Sequence, residues 1–198
     1  MPLPLRLILL GLGTAAVLFG EPAAAALIDA WRASDLAVLR DGDAIGSWSS
    51  ISNRTLTGSL TDQPLLRKGV TPAGGEAVRF NRDWLRIAAN SPLAGLKNFS
   101  IALVFSAGAV GGNNSSQWYG KSGIVDAEEG GVTRDWGVVI DQDGKLGLGI
   151  GQPDLTVYST SAPSLVDTNY HAAVVSWGGG VQTIYLDNCW TNSLAGAS

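Results

Sequence analysis

Apolar and polar positions alternate with a period of two along much of the chain, and no stretch keeps a helical period beyond two turns. In residues 98–106, Phe99, Ile101, Leu103 and Phe105 fall on one face while Ser100, Ala102, Val104 and Ser106 fall on the other. One greasy face and one small mixed face predict a strand of a sandwich. Residues 135–140 and 145–150 are two further β-rich runs around an Asp141-Gln142-Asp143-Gly144 turn, the clearest hairpin in the sequence. Residues 170–177 and 181–187 flank Gly178-Gly179-Gly180, whose positive φ angles suit a second hairpin. A third strand pair is expected from residues 77–80 and 84–87 around Asn81-Arg82-Asp83. Residues 27–31 and 45–48 read as the opening strands, and residues 35–40 as a turn of helix. Strands at such intervals, with turn chemistry between them, predict an all-β, antiparallel two-sheet β-sandwich forming one domain over residues 27–198.

Composition sharpens this picture in two ways. The 26 glycines are about twice the usual share and charged residues are only 15 %, as expected of short strands and tight turns. The 13 Lys and Arg against 17 Asp and Glu leave a net charge of -4 with no cationic run, which argues against a nucleic-acid partner. Residues 1–26 read as a signal peptide: Arg6 gives the charged start, residues 7–19 the apolar stretch, and Ala23 to Ala26 the small residues before cleavage. That stretch is too short to cross a bilayer and no second one follows, so no membrane span is expected after cleavage. The expected location is secreted or extracytoplasmic, in the periplasm or at the cell surface. Cys189 is the only cysteine, so no internal disulfide can form, and no neighbouring Cys or His makes it a zinc site. Asn53, Asn98, Asn113 and Asn114 begin Asn-x-Ser/Thr sequons, relevant only in a glycosylating host.

Several segments, taken in order, resemble the laminin-G-like, concanavalin A-like lectin–glucanase jelly roll of bacterial secreted proteins. They are Leu27-Ile28-Asp29-Ala30-Trp31, Ile45-Gly46-Ser47-Trp48, Ala77-Val78-Arg79-Phe80-Asn81 and Phe99-Ser100-Ile101-Ala102-Leu103-Val104-Phe105. The hairpin through Asp143-Gly144-Lys145-Leu146 follows, and then His171-Ala172-Ala173-Val174-Val175-Ser176-Trp177 with Ile184-Tyr185-Leu186-Asp187. The resemblance spans nearly all of residues 27–187 and implies jelly-roll topology. It also implies further closing strands after the last of these segments, where only residues 188–198 remain, so the expectation is either a fragment of a longer chain or an N-terminal strand with an unpaired edge.

Candidate chemistry is sparse. Glycosidases of this fold need two carboxylates, which on one strand sit at alternate positions; Asp126 and Glu128 are the candidates with that spacing. The third carboxylate of the family pattern is missing, Glu129 breaks the alternation, and Gly130-Gly131 follow, so no catalytic residue is assigned. Members of this fold often bind calcium, and Asp141-x-Asp143-Gly144 is rich in oxygen. A hairpin turn explains that segment better, and no metal ligand or other cofactor is assigned. His171, the only histidine, reads as a packed strand residue rather than a catalytic base.

Trp31, Trp48, Trp84 and Trp177 lie in strand-like contexts and are expected in the core. Trp118 and Tyr119 instead close a loop of amides and hydroxyls that includes Asn113, Asn114 and Gln117, with Asp135 and Trp136 opening the next hairpin. Aromatic planes stack on the C–H faces of sugars while amides bind the hydroxyls. The sequence therefore points to a non-catalytic, lectin-like carbohydrate-binding module using Asn113, Asn114, Gln117, Trp118, Tyr119, Asp135 and Trp136. Alternatives are a glycoside hydrolase using Asp126 and Glu128, or an adhesive surface domain that binds protein.

Overall fold

The computed structural model describes residues 5–8, 26–87, 93, 96–112, 117–127, 135–151, 155–187 and 190–195, for 5–8 and 190–195 the backbone only. It is all-β, with antiparallel sheets and no α-helix among the described residues. The chain forms two compact units, one of Met1–Leu7 with Gly95–Ser198 and one of Ile8–Ala94. A short strand, β1 (Leu5–Ile8), falls within the predicted leader.

The unit of Ile8–Ala94 holds β2 (Ser47–Ser49), β3 (Thr55–Thr57), β4 (Leu65–Arg67), β5 (Ala77–Arg79) and β6 (Arg86–Ile87). β2, β3 and β6 form one antiparallel sheet, and β4 pairs with β5. The hairpin expected between residues 77–80 and 84–87 is thus not formed. Arg82 takes φ 65° and the Asp83 carboxylate accepts the Asn81 N–H at 2.8 Å, turning the chain toward a different partner. The core gathers Ala33, Leu36, Ile45, Trp48, Leu66 and Val78, with Trp31, Leu56, Phe80 and Leu85 packed against it. Trp48 is buried without an orphaned donor: its Nε1 donates to the Arg32 carbonyl at 3.1 Å, while Trp31 Nε1 donates to the Trp48 carbonyl at 3.2 Å.

Residues 27–31, read as a strand, are irregular, and the helical turn is a 3₁₀ turn at Ala33–Leu36. Asp29 explains the irregularity. Its carboxylate accepts the N–H groups of Ala30 at 3.0 Å and Ser52 at 3.3 Å and pairs with Arg54 at 2.8 Å, bracing the turn between β2 and β3. Burial pushes the Asp29 carboxyl up, but hydrogen bonds from Ser50, Arg54, Ala30 and Ser52 outweigh it and hold it below its ordinary value. Asp29→Asn is therefore expected to cost about 1 kcal/mol at neutral pH, Arg54 being partly solvent-screened. Because the folded value is the lower one, this stability is lost as pH falls through it, and urea unfolding at pH 7 and pH 3 should show the variant's deficit shrinking in acid.

The other unit contains β7 (Phe99–Ala107), β8 (Ser122–Asp126), β9 (Trp136–Ile140), β10 (Leu146–Ile150), β11 (Leu155–Tyr158), β12 (His171–Gly178), β13 (Val181–Leu186) and β14 (Trp190–Ala195). Both hairpins predicted here are present, Leu148 pairing with Val138 and Val175 with Ile184. One sheet runs β14-β13-β12-β7 and the other β11-β10-β9-β8. β10 and β11 lie against β13, giving a β-sandwich-like pair of layers. Val138, Ile140, Leu146 and Leu148 fill the space between them beside Val175, Ile184 and Leu186. Gln182 is buried there and ties the layers together, its amide donating to the carbonyls of Leu148 at 3.0 Å and Leu155 at 3.1 Å. β14, where few residues remained for another strand, pairs with β13 from Leu186↔Trp190 to Val181↔Ala195.

Candidate functional site

The predicted sugar loop is anchored at both ends. Gly111 N–H donates to Ser122 Oγ at 2.6 Å, and Gly112, at φ +89°, sits so close to Gly120 that a β-carbon would lie 2.7 Å from its carbonyl oxygen. Only glycine meets both demands. Trp118–Gly120 then form a single 3₁₀ turn that sets two neighbouring rings on different courses.

Trp118 turns inward. Strand pairing puts Asp126, Gly137, Gly149 and Thr156 in one row across β8 to β11, and alternation adds Gly147 and Val139 to that face. The missing side chains leave a smooth floor, on which the Trp118 indole lies over Gly137 and Gly149 and the Tyr158 ring over Gly147. At 1 % exposure Trp118 offers no plane to a sugar, which corrects its expected stacking role; its buried Nε1 has no hydrogen-bond partner among the described residues. Tyr119, by contrast, is 52 % exposed and stands edge-on to Trp118, ring centroids 5.7 Å apart.

The remaining candidates scatter. Gln117 is half-buried at the start of the turn, whereas Asn113 and Asn114 lie outside the described residues. Asp135 is buried, its carbonyl accepting the Gly151 N–H at 2.9 Å. Trp136 is one residue out of phase with Gly137, so it points to the opposite face of the sheet from Trp118 and packs on Phe99 at 5.5 Å. Neither Asp135 nor Trp136 joins Tyr119. Of the carboxylate pair, Asp126 is exposed in the glycine row and Glu128 lies outside the described residues.

The Asp141 carboxylate accepts the N–H groups of Asp143 at 3.0 Å and Lys145 at 2.7 Å, so one of its oxygens already closes the hairpin turn. No group of three or more His, Cys, Asp or Glu side chains suited to a metal occurs among the described residues. Nor is any described helix long and apolar enough to cross a membrane.

His171 is buried, but it is more than packing. Its Nδ1 meets Asp187 at 2.8 Å and its Nε2 meets Asp167 at 3.0 Å, with Phe105 against the ring. With both nitrogens engaged it has none left to act as a base. Burial pushes its pKa down, yet the bonds and charges of Asp187 and Asp167 outweigh this and raise it. Asp167, four residues earlier, and Asp187, just past β13, were visible in the sequence, but only folding brings them to one ring.

One tryptophan expected in the core is at the surface. Trp84 is 41 % exposed, with the Arg86 guanidinium 5.3 Å from its ring centroid. Its neighbours in the chain, Leu85 and Ile87, take the inward positions. Comparison with protein-family models, curated proteins and solved structures gives no match. The residues themselves carry the functional argument.

Proposed function

We propose that this protein is an exported, non-catalytic carbohydrate-binding module with a concanavalin A-like jelly-roll sandwich. The observation that carries the reading is Tyr119, a half-exposed ring held at a fixed angle by the buried Trp118 at the end of an amide- and hydroxyl-rich loop. An anchored aromatic plane loses little freedom when a pyranose stacks on it. Trp118 serves as the anchor and Tyr119 as the platform, with Gln117 beside it. Such a site is shallow and each polar contact nets only about 1 kcal/mol, so binding is weak and depends on the ring. A glycan array comparing wild type with Tyr119→Ala tests this. We expect wild-type signals on a subset of glycans to fall about tenfold in the variant, the scale of one lost stacking contact. A blank wild-type array ends the carbohydrate reading, and equal signals end the role of Tyr119.

A further inference from the structure

The outward face of the β2–β3–β6 sheet carries a second set of groups that the Tyr119 site does not use. Burial alternates along these strands: Trp48, Leu56 and Ile87 turn toward the core, while Ser47, Ser49, Thr55, Thr57 and Arg86 are exposed. Register joins Ser47, Thr57 and Arg86 into one row and Ser49 with Thr55 into the next. The hydroxyls of Ser49 and Thr55 bond each other at 3.2 Å, and those of Ser47 and Thr57 have no partner among the described residues. At the end of the first row Arg86 lies against the exposed Trp84 ring and makes no ion pair among the described residues.

Charge separates this part of the chain from the rest. Residues 26–94 carry eight Arg and Lys against seven Asp and Glu, whereas residues 95–198 carry four against nine. A planar guanidinium held on an aromatic face is oriented to grip a carboxylate through two parallel hydrogen bonds, and flanking hydroxyls match the hydroxyls of a ring.

We propose that this sheet face binds an acidic glycan, with Arg86 taking the carboxylate of a uronate, Trp84 orienting Arg86 and contacting the sugar's C–H groups, and Ser47 and Thr57 bonding its hydroxyls. The assignment rests on the carbohydrate reading and adds to it a second site and a substrate class. The probes are polygalacturonate and its fully methyl-esterified form, titrated into the whole protein by calorimetry, with Arg86→Gln, Trp84→Ala and Tyr185→Ala. All three positions are exposed, and thermal unfolding confirms that each variant is folded.

The expected result is wild-type binding of polygalacturonate, at least about tenfold weaker binding of the ester, and about tenfold losses for Arg86→Gln and Trp84→Ala. Tyr185→Ala, at an exposed ring that belongs to neither site, should leave this binding unchanged. The proposal is overturned if the ester binds as well as the acid, if Arg86→Gln binds like wild type, or if polygalacturonate does not bind. Neutral glycans still captured on an array through Tyr119 would then leave the carbohydrate reading standing, while a blank array would end both.

Discussion

Gly149→Ala is expected to destabilise the protein by about 3 kcal/mol or more, a large effect for one added methyl group. A β-carbon at Gly149 would overlap the Cβ, Cγ and Cδ1 atoms of Trp118, and one at Gly137 would overlap the far side of the same indole. The indole cannot slide away easily, because Gly137 and Gly149 are directly paired and support it together. Trp118→Ala should cost a similar amount by the opposite route, leaving a cavity where a large buried ring had been. The double variant separates clash from mere strand propensity. If the penalty is a collision with the indole, Gly149→Ala should cost clearly less once Trp118 is alanine, a non-additive cycle, although the retained Cβ, which the new methyl group still overlaps, keeps part of the clash. Urea unfolding of the four proteins measures it, and additive penalties would refute the account.

Stability should also fall through His171 as pH rises above the ordinary histidine value of 6.5. A neutral imidazole donates one hydrogen bond, so it can satisfy Asp187 or Asp167 but not both; the observed double contact needs the imidazolium. The folded pKa is raised above the ordinary value near 6.5, burial opposing and the two carboxylates prevailing. The folded state thus binds the proton more tightly, and the stabilisation is complete below the unfolded value and disappears as pH climbs through the folded one. Asp167 behaves in the opposite sense. Burial opposes, but bonds from Asn169 and His171 hold its pKa below 3.8, so its share is complete above that value and lost as pH falls through the lowered one.

His171→Ala should cost about 2 kcal/mol at pH 6, after allowing for solvent screening of the two partly exposed carboxylates, and should flatten the alkaline limb. The loop holding Asp167 has a second anchor, since Ser106 Oγ donates to the Thr168 carbonyl and Thr168 N–H to the Ala107 carbonyl. Deprotonation is therefore expected to loosen the clamp without releasing the loop. Unfolding free energies from about pH 6 to pH 9 test this; a wild-type profile as flat as the variant's would rule the clamp out.

Much of the strand pattern was legible because side-chain alternation is a local property of an extended chain. Phe99 to Ala107 and the hairpins at Gly144 and Gly179 needed only the period of two and a turn that tolerates positive φ. Leu-Gly-Leu-Gly-Ile at residues 146–150 also held information about the site: glycine at every second position announces that something approaches one face closely. What approaches could not be read, because Trp118 is distant in sequence. The same limit misplaced the tryptophans. Trp118 in a polar loop resembled a platform and became interior, while Trp84 in a strand-like run resembled core and became surface, since a ring's burial depends on what folds over it.

The amino-acid order alone determined that the chain would form antiparallel sheets, where several strands would run, and that cationic partners for nucleic acid were lacking. Tertiary structure alone decided that β5 pairs with β4 and β6 with β3, that two aspartates share one histidine, and that Tyr119 and Trp84 keep exposed rings. The physical reason is range: backbone preference and alternation act between neighbours along the chain, whereas strand partnership, ion pairing and burial depend on residues that become neighbours only when the chain has closed on itself.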